Sequence, residues 1–105
     1  MSILTSETEQ PLAAGLTYVS DRFTVRFTDG RLLTVPLDWY PRLQHASAQE
    51  RANWRVIGGG TGLHWPDIEE DISVAGLLAG RRSLESQKSF AAWLAARPKK
   101  AQTPP

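Results

Sequence analysis

The sequence predicts an α+β fold: a small antiparallel sheet of two hairpins with short helices packed on one face. Three observations lead there. Residues 22–35, RFTVRFTDGRLLTV, alternate apolar and polar side chains around an Asp-Gly turn. Two short apolar runs, Trp54–Ile57 and Leu63–Trp65, flank the glycine stretch Gly58-Gly59-Gly60-Thr61-Gly62. Helical spacing appears only in short pieces, three of them with a capping residue at Asp38, Ser47 or Ser73.

The 105 residues fit one small domain. Four Trp, three Phe and two Tyr must supply much of its core. With no cysteine, disulfide frameworks and thiolate metal sites are excluded. No apolar run is long enough for a transmembrane helix. The first residues, MSILTSETEQPLAAG, do not read as a signal peptide, so a cytoplasmic setting is expected. Net charge is +1 but unevenly placed: residues 21–80 carry six basic and eight acidic side chains, and residues 81–105 carry six basic groups against Glu85 alone.

In chain order, residues 1–17 lack a regular period and are interrupted by Pro11, which predicts a loose arm ending in a strand at Leu16–Val19. Phe23, Val25 and Phe27 alternate with Arg22, Thr24, Arg26 and Thr28, the pattern of a half-buried strand. Asp29-Gly30 signals a two-residue hairpin, because glycine accepts positive φ. Leu32 to Val35 returns as the partner strand and stops at Pro36, which has no N–H to donate. Asp38 is an N-cap candidate for a short helix to Gln44, with Pro41 in its first turn. Ser47 and Glu50 have capping-box spacing for a second short helix, Ala48 to Asn53. The apolar runs around the glycines form the second hairpin.

Asp67, Glu69, Glu70 and Asp71 then lead to Ser73, read as the N-cap of a helix over Val74–Ala79; carboxylates favour the positive end of a helix dipole. Ile72 and Leu77 occupy staple positions, Val74, Leu77 and Leu78 share a face, and Gly80 stops the helix. Residues 84–97 form a separate amphipathic helix ended by Pro98, with Phe90, Trp93, Leu94 and Arg97 at i, i+3, i+4, i+7.

The run from VRFTDGRLLTVPLDWYPRL through ERANWRVIGGGTGLHWPDIEEDISVAGLL resembles the family DUF2442. The shared features are a strand ending in Asp-Gly, the VPLDWYPRL segment, the ERANWR segment, the glycine turn, HWP, and the EDISVAGLL close. The resemblance covers about residues 18–80, leaving 1–17 as the arm and 81–105 as an amphipathic helix and basic tail. It implies a small bacterial α+β domain without established activity. Some members are fused to a helix-turn-helix, and others are paired with small neighbouring proteins in toxin–antitoxin-like arrangements.

Specific chemistries find little support. The glycine stretch has neither a following Lys-Ser/Thr nor G-x-G-x-x-G spacing, so it reads as a hairpin turn rather than a phosphate loop. His45, His64 and the acidic group match no metal-ligand spacing. No serine sits in a G-x-S-x-G elbow. No catalytic, cofactor or metal residue is therefore assigned, and no enzyme is expected. Trp39, Tyr40, Trp54 and Trp65, with Arg42, Arg51 and Arg55, suit either a stacking surface for nucleic acid or a small core bordered by cations; the core reading accounts for them with fewer assumptions.

The expected function is non-catalytic protein binding or regulation, as the antitoxin-like half of a small protein pair. Phe90, Trp93 and Leu94 are its partner-binding candidates, docking on another protein or a second copy unless the stripe folds back on its own domain. The alternative is a DNA-associated regulator using Arg81, Arg82, Lys88, Arg97, Lys99 and Lys100, a set whose phosphate contacts would weaken with salt.

Overall fold

The alternation of residues 22–28 is realised in a computed structural model that describes residues 10–97. Strand β2 (Arg22–Phe27) buries Phe23, Val25 and Phe27 and turns its polar side chains outward. It pairs antiparallel with β3 (Leu32–Pro36), and Thr24 faces Thr34 across the ladder with their hydroxyls 2.7 Å apart. The turn between them is longer than the two-residue hairpin expected. Gly30 N–H donates to the Phe27 carbonyl at 3.0 Å, and Phe27 N–H to the Arg31 carbonyl at 2.9 Å. Asp29 braces it by accepting from the Arg31 backbone and guanidinium. Gly30 does sit at positive φ, +92°.

Strand β1 (Ala13–Val19) pairs antiparallel with β2 and begins three residues before Leu16, inside the expected arm. The signal was hidden by an irregularity in register between Ala13 and Gly15. There the Arg26 guanidinium lies so close to Gly15 that a Cβ would approach it to 2.5 Å. Residues 1–9 of the arm lie outside the described residues.

The second hairpin is β4 (Arg55–Ile57) and β5 (Gly62–Trp65), joined through a 3-10 turn at Gly58–Gly60 in which all three glycines have positive φ. Gly60 is the critical one: a Cβ would come within 2.7 Å of the Leu12 Cβ, so the loop owes its glycine to the entry of β1. Strand β6 (Glu70–Ser73) joins β5, where the sequence suggested only an acidic approach to a helix. The antiparallel pairing and the α+β class are as expected, but each hairpin gains a third strand. The result is two three-stranded sheets, β1-β2-β3 and β4-β5-β6, instead of one.

Four short α-helices complete the fold. After a 3-10 turn at Leu37–Trp39, α1 (Pro41–Gln44) starts with Pro41 in its first turn. Asp38 does not cap it; Tyr40 holds the N-cap position without a side-chain bond, because the intervening 3-10 turn displaces the helix start. Helix α2 (Ala48–Ala52) has the full capping box, Glu50 N–H to Ser47 Oγ at 3.1 Å and Ser47 N–H to Glu50 Oε1 at 2.8 Å. Helix α3 (Val74–Leu78) is capped by Ser73, whose Oγ accepts from Gly76 N–H at 2.9 Å. Val74 and Leu77 are buried, but Leu78 is 45% exposed and lies off the inner face. Helix α4 (Gln87–Ala95) starts three residues after Leu84, at an N-cap supplied by Ser86.

One core joins both sheets and the helices, with Phe23, Val25, Leu43, Leu63, Trp65, Ile68 and Val74 at its centre. Trp65 is fully buried, and its indole N–H still finds a partner: it donates to Tyr18 Oη at 2.9 Å, and Tyr18 donates to the Arg51 carbonyl at 2.7 Å. That relay ties β5, β1 and α2 together. Among the described residues no helix is long and apolar enough to cross a membrane.

Candidate functional site

The apolar stripe of α4 packs on its own domain. Phe90 meets the His45 ring edge-on at 5.1 Å and stacks with Trp93 at 5.8 Å. Trp93 packs against the core, between the guanidinium groups of Arg42 (5.3 Å) and Arg97 (4.6 Å). Two forked ion pairs fix the helix at its ends. Arg42 grips Glu85, with Nη2 2.7 Å from Oε2, and also donates to the Ile68 carbonyl. Arg97 grips Glu50, with Nη2 2.7 Å from Oε1. Glu50 thereby serves both the α2 capping box and the α4 anchor. These donors hold the Glu50 and Glu85 carboxyls below their ordinary titration range. Phe90, Trp93 and Leu94 are all half-buried in this arrangement.

The basic set does not converge. The Arg97 side chain is 7% exposed and committed to Glu50. Arg82 lies over the Trp39 ring at 4.9 Å. Arg81 and Lys88 face solvent, and Lys99 and Lys100 lie outside the described residues. The aromatic set is drawn inward: Trp65 and Tyr40 are buried, and Trp39 and Trp54 pack against the core. Arg51 is taken up by the Leu43 and Gln44 carbonyls at the end of α1. His64 pairs with Asp71 across β5 and β6, whereas His45 sits beside the Pro41 carbonyl. Among the described residues no three His, Cys, Asp or Glu side chains gather as a metal-ligand set.

A feature not read from the sequence is an open cleft of about 490 Å³ along the outer edge of β6. Residues 69–73 form one wall, residues 81–85 the other, and Tyr40, Arg42 and Gly76 lie between. Strand β6 is the last strand of its sheet, and its outer side carries no backbone hydrogen bond among the described residues. The facing wall is held in place by three bonds: Tyr40 Oη donates to the Arg81 carbonyl (2.7 Å), Arg81 N–H to the Gly76 carbonyl (2.9 Å), and Ser83 N–H to the Trp39 carbonyl (2.9 Å). Leu84, 94% exposed, adds an apolar side chain to that wall.

Inside the cleft most charges are already matched. Arg42 holds Glu85, Arg82 covers Trp39, and Asp71 meets His64. Glu70 is different. The two-residue period of β6 puts it on the same face as buried Ile72, opposite buried Trp65. It is half-buried, and its carboxylate makes no hydrogen bond or ion pair among the described residues. Loss of solvent pushes its carboxyl up to about 7; Arg42 opposes that shift, while Glu85 and Asp71 add to it. The same burial, with the nearby Glu70 charge, raises the Tyr40 hydroxyl. The period-2 alternation of Glu70, Asp71, Ile72 and Ser73 was the available sequence signal for this wall. It was masked because four acidic residues before a capped helix also satisfy the helix-dipole pattern.

The solved structures that resemble this chain are themselves uncharacterised. A protein of unknown function from Rhodospirillum rubrum ATCC 11170 is 30% identical, with a TM-score of 0.66, over 75% of this chain and 98% of that one. The uncharacterised protein CV0863 from Chromobacterium violaceum is 24% identical, with a TM-score of 0.62, over 91% of this chain and 86% of that one; it supports the fold alone. None of the curated proteins matches. The family model for proteins of unknown function named DUF2442 matches residues 13–83, from the first residue of β1 to the wall of the cleft. With two thirds of its length inside that match, the chain belongs to the DUF2442 family.

Proposed function

We propose that this protein is a non-catalytic binding module that captures an extended segment of a partner protein along β6. The observation that carries the reading is the cleft itself: a strand edge left unpaired among the described residues faces an open groove whose opposite wall is rigidly bonded and carries an exposed leucine. A strand edge offers a ladder of backbone donors and acceptors to an extended chain, and side-chain pockets beside it confer selectivity. Strand capture is one of the recognition modes by which an antitoxin-like or regulatory half of a protein pair would hold its partner. The α4 stripe is less suited to the task, because Trp93 is already covered by two guanidinium groups and its own core.

Panning the full chain against a displayed library of random peptides tests the reading. Enriched peptides should shift the amide resonances of residues 70–73, and Leu84→Asp should weaken their binding without altering the melting temperature, since Leu84 is exposed. Failure to enrich any peptide, or enriched peptides that perturb only residues remote from β6, would overturn it.

A further inference from the structure

We infer that the segment captured along β6 carries a lysine or arginine directly opposite Glu70 and an apolar residue two positions away, opposite Ile72. This inference rests on the docking reading above and adds the chemistry of the occupant. In a β ladder, residues opposite one another project to the same face, and the projection repeats every second residue. A strand added to β6 therefore places one side chain beside Glu70 and, two residues on, another beside Ile72. Ile72 lines the cleft with its side chain buried in the core beneath, and Leu84 on the far wall supplies the exposed apolar surface there. Glu70 is a carboxyl removed from most of its water, with no hydrogen-bond donor among the described residues. Arg42, the cation nearest in role, spends its guanidinium on Glu85 and the Ile68 carbonyl. Glu69 and Arg81 also line the cleft, but they are exposed, where solvent and salt weaken their influence. The group that discriminates among partners is the desolvated one, and a cation meets it best.

Proton linkage follows from the same geometry. Free Glu70 titrates near neutrality, so a cationic partner must first find or force it ionised. Affinity for a basic segment therefore rises as pH increases through about 7. Tyr40, Arg42, Asp71 and Glu85 face the same space, and none of them makes a hydrogen bond to Glu70.

The test uses the full chain and an array of extended octapeptides, Thr-Val alternating, in which one central position is varied through Lys, Arg, norleucine, Gln and Glu. The Lys and Arg members should bind roughly tenfold tighter than the norleucine member at about pH 8, as a charge-assisted hydrogen bond requires. The advantage should shrink at about pH 6 and vanish in Glu70→Gln, an arm that separates Glu70 from nearby His64. The carboxyl carbon resonance of Glu70 should show its titration moving to lower pH when the Lys peptide is bound. Equal binding of the Lys and norleucine members, with residues 70–73 still perturbed, would overturn the inference and leave the docking reading standing. Preference for the Glu member would overturn it in favour of Arg81 as the selecting group. If no member of the array binds, the docking reading fails and the inference with it.

Discussion

Gly30, Glu70 and Ser73 each carry a conformational or electrostatic load that a single substitution can measure. At φ +92° Gly30 has open space around it, so a side chain there would meet strain rather than a clash. Gly30→Val should lower stability by about 1 kcal/mol or more in a denaturant titration, because a β-branched residue is poorly tolerated at positive φ. An unchanged midpoint would contradict the turn. Glu70 carries the opposite kind of load. Its folded-state pKa, about 7, lies above the 4.5 of an ordinary glutamate, so the folded protein binds the extra proton between those values. Stability must then fall as pH rises from about 4.5 to about 7. Glu70→Gln should raise stability at about pH 8 by on the order of 1 kcal/mol after solvent screening, seen as a higher melting temperature, and leave it unchanged near pH 4. Ser73→Ala removes the acceptor for Gly76 N–H and should cost about 0.5–2 kcal/mol. The caps at Ser47 and Ser73 were legible in the sequence because a cap depends on two or three neighbouring positions, whereas Asp38 was displaced from that role by the 3-10 turn and Ser86 was not read. The state of Glu70 was not, because burial causes it and only the strand pairing sets Glu70 opposite Trp65 on the inner face.

At the scale of elements, α4 behaves as a clasped helix. Its nine residues are too few for an isolated helix to be stable in water, so it depends on Trp93 and the two forked ion pairs. Both carboxylates titrate below the ordinary range in the folded state, so their contribution is complete above about pH 4.5 and is lost as pH falls through their lowered values. Acidification should therefore loosen α4 first, seen as amide exchange in residues 87–95 before exchange in β2. Simultaneous exchange of both elements would show that the clasp is not a separate unit. Trp93→Ala should lower the melting temperature by the equivalent of about 1–3 kcal/mol, as expected for a partly buried aromatic. If it instead abolished self-association and left stability intact, the stripe would be a docking surface after all. The helix itself was legible from its i, i+3, i+4, i+7 spacing. Which surface it covers was not: an amphipathic stripe states that a face must be buried and says nothing about against what.

For the whole molecule, two sheets share one small core, and the loop that faces the β6 edge across the cleft is held by bonds to Trp39 and Tyr40, just before α1, and to Gly76 of α3. By itself the sequence determined the α+β class, the β2–β3 and β4–β5 hairpins, the caps at Ser47 and Ser73, and membership of the family. All are written in local periodicity or in short runs of neighbouring residues. The tertiary structure alone decided that β1 and β6 join as third strands and that the hairpins separate into two sheets. It also decided that α4 folds back, that Arg42 and Arg97 serve as clamps, and that the Glu70 carboxylate lies in a cleft with no hydrogen bond among the described residues. Those outcomes depend on pairs such as Arg42 with Glu85 and Arg97 with Glu50, 43 and 47 residues apart in the chain. Ion pairing and desolvation act over a few ångströms of space, so until the fold brings such residues together no local pattern records which partner each will have.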